Sequence, residues 1–252
     1  MINILTLSYQ NQRTMAQYII HTADSRGNAD HGWLKANHSF SFAGYFNPDR
    51  VHFGALRVLN DDLIAPARGF GEHPHENMEI VSIPLEGQLG HEDSTGGKGV
   101  IKKGEIQIMS AGTGVFHSEK NPSPTDWTNL LQIWIIPNKL NINPRYGQLE
   151  YHLSDNELKT LIQPEKEDGT LSLQQNTWFK LAKFDAKKEL SVAVEDAEHN
   201  GLYLFVISGS LEVDGRKLNS RDAIGVWETE KINIEINEKS EFLIIEVPMN
   251  LN

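Results

Sequence analysis

Apolar stretches five to eight residues long, each closed by a turn-forming cluster, run through most of this chain. Phe53–Leu59, Met78–Leu85, Glu105–Met109, Leu130–Ile136, Leu202–Ile207, Ile232–Ile236 and Phe242–Val247 read as strands. Asn60-Asp61-Asp62, Gly96-Gly97 and Asp214-Gly215 read as the turns between them. Only Asp155–Ile162 has a helical signature, with Ser154 as N-cap, Glu157 at capping-box spacing and Pro164 as the stop. Many short strands with close turns predict an all-β sandwich or barrel.

The pattern repeats once. Ile80–Asp93 (IVSIPLEGQLGHED) and Leu202–Gly215 (LYLFVISGSLEVDG) align without gaps, placing Gly87 on Gly209 and Leu89 on Leu211. Two copies of one β module follow, joined through Asn138–Asn176. The expected organisation is an N-terminal extension at 1–14, with Met15 as an alternative start, and a first domain at 15–140. A connecting region with the short helix spans 141–176, and a second domain spans 177–252.

Composition narrows the function classes. No cysteine is present, which removes disulfides, thiolate metal sites and a cysteine nucleophile. The net charge is −11, and residues 150–252 hold 20 of the 34 acidic side chains. Clustered Lys and Arg, the source of phosphate affinity, are absent, so no direct nucleic-acid binding is expected. The acidic second half could instead offer a docking face to a basic protein partner. No apolar run approaches the roughly 20 residues a bilayer requires, and no basic-then-apolar leader opens the chain. The expectation is a cytoplasmic monomer without membrane contact.

Among ten histidines, three are spaced for joint work. Gly69–Glu79 reads GFGEHPHENME and Gly112–Asn121 reads GTGVFHSEKN. Residues two apart on a strand share a face, with Cα atoms about 6.6 Å apart. His73 and His75 therefore face together, as do His117 and Glu119, and 41 residues separate the pairs, enough for a hairpin and a return strand. Nitrogen and carboxylate donors without sulfur suit Fe(II), Ni(II), Cu(II), Mn(II) or Zn(II). On an unbroken strand Glu79 shares parity with His73 and His75, so it remains an alternative carboxylate. His91, in the polar GHEDSTGG segment, is expected to be exposed. His38 is a candidate pocket residue, and Phe53, Phe70, Phe116 and Trp134 are candidates for a dry cavity wall or plain core. Trp227 and Phe242 read as core of the second module.

GFGEHPHENMEIVSIPLEGQLGHEDS and GEIQIMSAGTGVFHSEKNPS resemble the pirin family, especially its bacterial quercetinase-like members. NADHGWLKANHSFSFAGYFNP and LQIWIIPNKLNINPRYGQ are similar to the same group. The resemblance runs from about Met15 to Tyr146 and weakens beyond. It implies a bicupin, two β-barrel or jelly-roll cupin domains in one chain. It also implies one metal held by His73, His75, His117 and Glu119, with Fe(II) placed first. General cupins take the carboxylate from the position of Glu79; the pirin-like His-Ser-Glu-x-Asn favours Glu119. Ser110, where cupins usually carry proline, and two extra residues before His117 also agree with pirins. On the ungapped alignment His73 and His75 fall on Glu195 and Ala197, and no histidine follows His199, so no metal is expected in the second domain.

The resemblance implies quercetin 2,3-dioxygenase activity on a flavonol or similar enol with O2, with Glu119 as proton acceptor. The alternative it implies is a non-catalytic, metal- or redox-responsive regulator that binds another protein.

Overall fold

The computed structural model describes residues 15–185 and 187–251; the proposed 1–14 extension lies outside the described residues. In the first third of the chain, the strands are β1 (Gln17–His21), β2 (Gly27–Asp30), β3 (Leu34–His38), β4 (Leu56–Ile64), β5 (Gly69–His75) and β6 (Glu79–Glu86). Then come β7 (Gln88–Asp93), β8 (Lys98–Lys102), β9 (Glu105–Ser110), β10 (Val115–Lys120), β11 (Thr128–Ile135), β12 (Arg145–Glu150) and β13 (Glu157–Ile162). The last are β14 (Trp178–Phe184), β15 (Lys188–Ala193), β16 (Asn200–Ser208), β17 (Leu211–Val213), β18 (Arg216–Leu218), β19 (Ala223–Trp227), β20 (Lys231–Ile236) and β21 (Ser240–Pro248). A 3-10 turn at Ala23–Ser25 is the one helical element among the described residues, so none is long and apolar enough to cross a membrane.

Four sheets form two β-barrels. A seven-stranded sheet (β12-β9-β6-β11-β4-β3-β2) covers a four-stranded one (β5-β10-β7-β8). A six-stranded sheet (β1-β19-β16-β21-β14-β13) covers another of four (β15-β20-β17-β18). The two barrels share one strand order: β5-β10-β7-β8 answers to β15-β20-β17-β18, and β9-β6-β11-β4 answers to β19-β16-β21-β14. Gly87 and Gly209, aligned from the sequence, both adopt positive φ (74° and 81°) at the same hairpin. A Cβ on either would meet a hydroxyl opening the neighbouring strand, Thr128 Oγ1 at 2.7 Å or Ser240 Oγ at 2.5 Å.

The two large sheets pack back to back. Leu59, Val81, Ile83, Leu131 and Ile133 of one share a core with Phe179, Tyr203, Phe205, Leu243 and Ile245 of the other. Period-2 alternation makes this possible, because each strand sends one set of side chains to that interface and the other into its own barrel. The strands do not sort into the barrels by chain order alone. β1 pairs with β19 in the second barrel, although 15–140 was expected to be the first domain, and β12 pairs with β9 in the first.

Two sequence readings are corrected here. Asp155–Ile162 is not a helix: Glu157–Ile162 forms β13, paired with β14. Half of the capping box does form, since Ser154 N donates to Glu157 Oε2 at 2.7 Å. The sheet edge then outcompetes the helix, because pairing buries Leu161 and Ile162 completely. Asn60-Asp61-Asp62 is not a turn either; all three lie buried inside β4. Asp61 faces the other barrel, where Arg221 Nη1 donates to it at 3.1 Å, while Asn60 shares the opposite parity with Asp62.

Candidate metal centre

β5 is the edge strand of its sheet and tolerates Pro74, whose missing N–H leaves no ladder bond unmade. His73 and His75, on either side of Pro74, face inward, and β10 lies antiparallel with His117 directly opposite His73. The ring centroids of His73, His75 and His117 are 4.4–4.9 Å apart. One donor nitrogen from each lies within 4.8 Å of the others. The register shifts between His117 and Glu119, a bulge of the kind that re-aims side chains. A carboxylate oxygen of Glu119 and one ring nitrogen each of His91 and His117 likewise lie within 4.8 Å of one another, so His117 is common to both groups.

Hydrogen bonds define which nitrogens are free. His73 Nδ1 lies 2.8 Å from Gly71 O, an acceptor, so it carries the proton and leaves Nε2 bare. His117 Nε2 is buried with no partner among the described residues. Burial, reinforced by His73, lowers the His75 pKa to about 4; burial, reinforced by the neighbouring histidines, lowers that of His117 to about 3. Both rings are therefore neutral and offer lone pairs at ordinary pH. An unpartnered buried nitrogen costs about 1–3 kcal/mol, and a cation at this point would offset it. The donor set thus fits a divalent transition metal.

Glu119 is buried, and burial raises its pKa although its hydrogen bonds oppose the rise. Gln132 Nε2 donates to Oε2 at 2.8 Å, and the Ser82 hydroxyl, with one proton to give, lies 3.3 Å from Oε1 and 3.1 Å from Gln132 Oε1. Those donors belong to a polar row across the inner face of the large sheet. Gln107 lies opposite Ser82, Ser82 opposite Gln132, Gln132 opposite Asn60, and Asn60 opposite His38. Gln107, Ser82, Gln132 and Asn60 each sit inside a strand with apolar neighbours. That is the signal by which they could have been found, since a lone polar residue on a buried face needs a partner.

The other candidates separate clearly. Glu79 does not join the histidines: Asn77 (φ 49°) breaks the strand after β5, and Glu79 faces the opposite side from Ile80. There it accepts from Ser110 Oγ at 2.6 Å and Gln174 N at 3.1 Å. His91 is not exposed but 3% accessible, because β7 turns it into the barrel. Phe116 is not in a core or cavity wall; it lies outward on β10 and is 52% exposed. Phe53 and Phe242 are core, and Trp227 packs against the core between the barrels. Phe70 stands edge-on to Trp33, and Trp134 edge-on to His75 at 4.9 Å with Phe42 edge-on behind it. His38 is buried, bonded through Nδ1 to Asn60 Oδ1 at 2.9 Å, with Phe42 and Tyr45 against its ring.

Two family models match in succession: Pirin over residues 19–135, and the quercetinase C-terminal cupin domain over residues 160–247. The quercetin 2,3-dioxygenase of Escherichia coli K12 is 39% identical over 226 residues, 90% of this chain and 96% of that protein. The chain belongs to the pirin family. A pirin-like protein of Caulobacter vibrioides is 38% identical over 226 residues, 88% of this chain and 96% of its own. The crystal structure of the bacterial pirin YhhW from Escherichia coli in complex with nickel(II) superposes with a TM-score of 0.88. It is 37% identical, with 93% of this chain and all of that one covered. The bicupin architecture expected from the sequence is thus the pirin architecture, an all-β pair of cupin domains.

Proposed function

We propose that this pirin is a metal-dependent dioxygenase of the quercetin 2,3-dioxygenase type, holding one divalent transition metal through His73, His75, His117 and Glu119. The observation that carries the reading is the cluster of three close imidazoles with a buried, unpartnered His117 Nε2, in a chain 39% identical to a quercetin 2,3-dioxygenase. When bound, the metal supplies Lewis-acid stabilisation of an enolate and redox access to dioxygen.

The chain's own part is orientation and proton transfer. Gln132 donates to one oxygen of Glu119 and Ser82 lies beside the other, orienting the carboxylate while leaving further lone pairs on both. Glu119 accepts the hydroxyl proton of a flavonol or similar enol, and burial favours its protonated form once the proton has moved. Trp134 and Phe42 supply an apolar flank beside His75, suited to a planar aromatic substrate. Ring opening of the flavonol by O2 with loss of carbon monoxide completes the reaction.

Oxygen uptake with quercetin, after loading in turn with Fe(II), Ni(II), Cu(II) and Mn(II), tests the reading. Nickel is the ion held by the Escherichia coli relative, and Fe(II) is the ion put first by the family resemblance. Uptake matched by flavonol loss and carbon monoxide release is the expected result with at least one ion. No uptake with any flavonol at full metal occupancy would sink it.

A further inference from the structure

His91 lies beside the candidate centre without being among its assigned ligands. Its Nε2 is 2.9 Å from Asp93 Oδ2, and both side chains are almost fully buried. The other Asp93 oxygen accepts Thr95 N at 2.8 Å, Thr95 Oγ1 at 2.7 Å and Gly97 N at 2.9 Å. An ionised carboxylate only accepts, so the proton on this edge belongs to His91 Nε2. In the neutral ring Nδ1 is then an acceptor with a single lone pair, and Gln107 Nε2 at 3.3 Å and His117 Nδ1 at 3.4 Å both lie within reach of it. Tyr146 packs beside this pair: its hydroxyl lies 3.3 Å from Gln107 Oε1 and 3.2 Å from Gln148 Oε1, and its phenol ring stacks on His91 at 4.9 Å. Gly99, opposite His91 on β8, keeps the hydroxyl's place open, since a Cβ there would come within 2.8 Å of it.

We propose that Asp93 and His91 are positioning residues: they hold His117 in the Nδ1–H tautomer, so that its Nε2 lone pair is presented to the space shared with His73 and His75. The role toward the metal rests on the ligand set proposed above; the tautomer does not. Outer-shell partners of this kind typically change metal affinity about 10–100-fold when removed.

Asp93→Asn tests the relay by reversing it. The Asn carbonyl keeps the Thr95 and Gly97 donors, and its amide turns a donor toward His91 Nε2. His91 must then carry its proton on Nδ1, where it opposes His117 Nδ1–H. In the metal-free wild type, ¹⁵N NMR of the histidine rings should show His117 protonated at Nδ1 and His91 at Nε2. In Asp93→Asn both should exchange tautomer, and the affinity for Ni(II), read by chelator competition, should fall about 10–100-fold. Wild-type His117 protonated at Nε2 overturns the proposal without any variant, which also covers the case in which Asp93→Asn unfolds. Unchanged tautomers and affinity in a folded Asp93→Asn overturn it as well, as does a metal-loaded protein in which His91 is itself a ligand. If the wild type has the expected tautomers and binds no metal, the metal reading fails and the relay stands.

Discussion

The two barrels share a strand order and differ in what fills them. Strand register relates them residue by residue. Leu89 and Leu211 are equivalent, so His91 answers to Val213, and Glu119, opposite His91, answers to Ile234, opposite Val213. His117 then answers to Ile232, and His73, opposite His117, to Val192, opposite Ile232. His75 answers to Val194, not to Ala197 as the ungapped alignment placed it, because the spacing between strands differs in the two halves. The polar row Gln107–Ser82–Gln132 becomes Ile224–Leu204–Ile244. All of these aliphatic replacements lie in one buried cluster with Phe184 and Phe242.

The difference teaches where stability and chemistry reside. Full burial of an Ile or Val stabilises by about 1.5–3 kcal/mol, whereas a buried polar atom without a partner costs about 1–3 kcal/mol. The interior of the second barrel takes the first option at each of the positions compared above. The first barrel leaves His117 Nε2 and Asp62 Oδ1 unpartnered among the described residues. Sharing the interface core, the apolar barrel braces the one that carries the candidate site.

The comparison breaks most sharply at the ligands. His73→Ala or His117→Ala should abolish metal binding at micromolar metal while circular dichroism still reports a folded β protein; full occupancy by elemental analysis would refute the assignment. One equivalent of metal per wild-type chain is expected, and a second equivalent mapped to residues 177–252 would overturn the contrast between the barrels. Next comes Glu119→Gln, which keeps an oxygen donor and loses the base. At saturating metal its kcat should fall about 10²–10⁴-fold, while activity falling only in step with metal would assign Glu119 a structural role.

In the second barrel the corresponding substitutions should register as stability alone. Ile232→Ala or Ile234→Ala should cost about 2–5 kcal/mol in denaturant titration, with metal stoichiometry unchanged. A change in stoichiometry would show that the barrels are not independent.

The smallest expected effect concerns Asp62. Burial first, then the Asp61 and Glu119 charges, push its pKa up to about 8. The folded state therefore keeps a proton that the unfolded state releases above pH ~3.9, and stability falls as pH rises through that window. Asp62→Asn removes this loss. Relative to wild type it should gain about 2–3 kcal/mol between pH 5 and pH 7 in the metal-free protein. A difference independent of pH would place the Asp62 pKa near its ordinary value.

Much of this was legible in the sequence. Short apolar runs with Gly and Asx turns specify antiparallel sheets, because period-2 alternation leaves a helix no coherent face. The repeat around Gly87 and Gly209 exposed the duplication, since positive φ at a tight hairpin selects glycine locally. His73, His75 and His117 could be singled out because same-face parity is a property of a single strand. What crosses between strands was not legible. Asn60-Asp61-Asp62 reads as a turn by composition, and only the barrel shows why it is a strand: its polar groups meet Gln132 and His38 on one face and Arg221 on the other. His91 reads as a surface residue until β8, β9 and β10 close over it. Local chemistry determined the strands, the turns and the candidate donors; register between strands distant in sequence decided which polar groups are buried, paired or left free, and that register exists only once the sheets are closed.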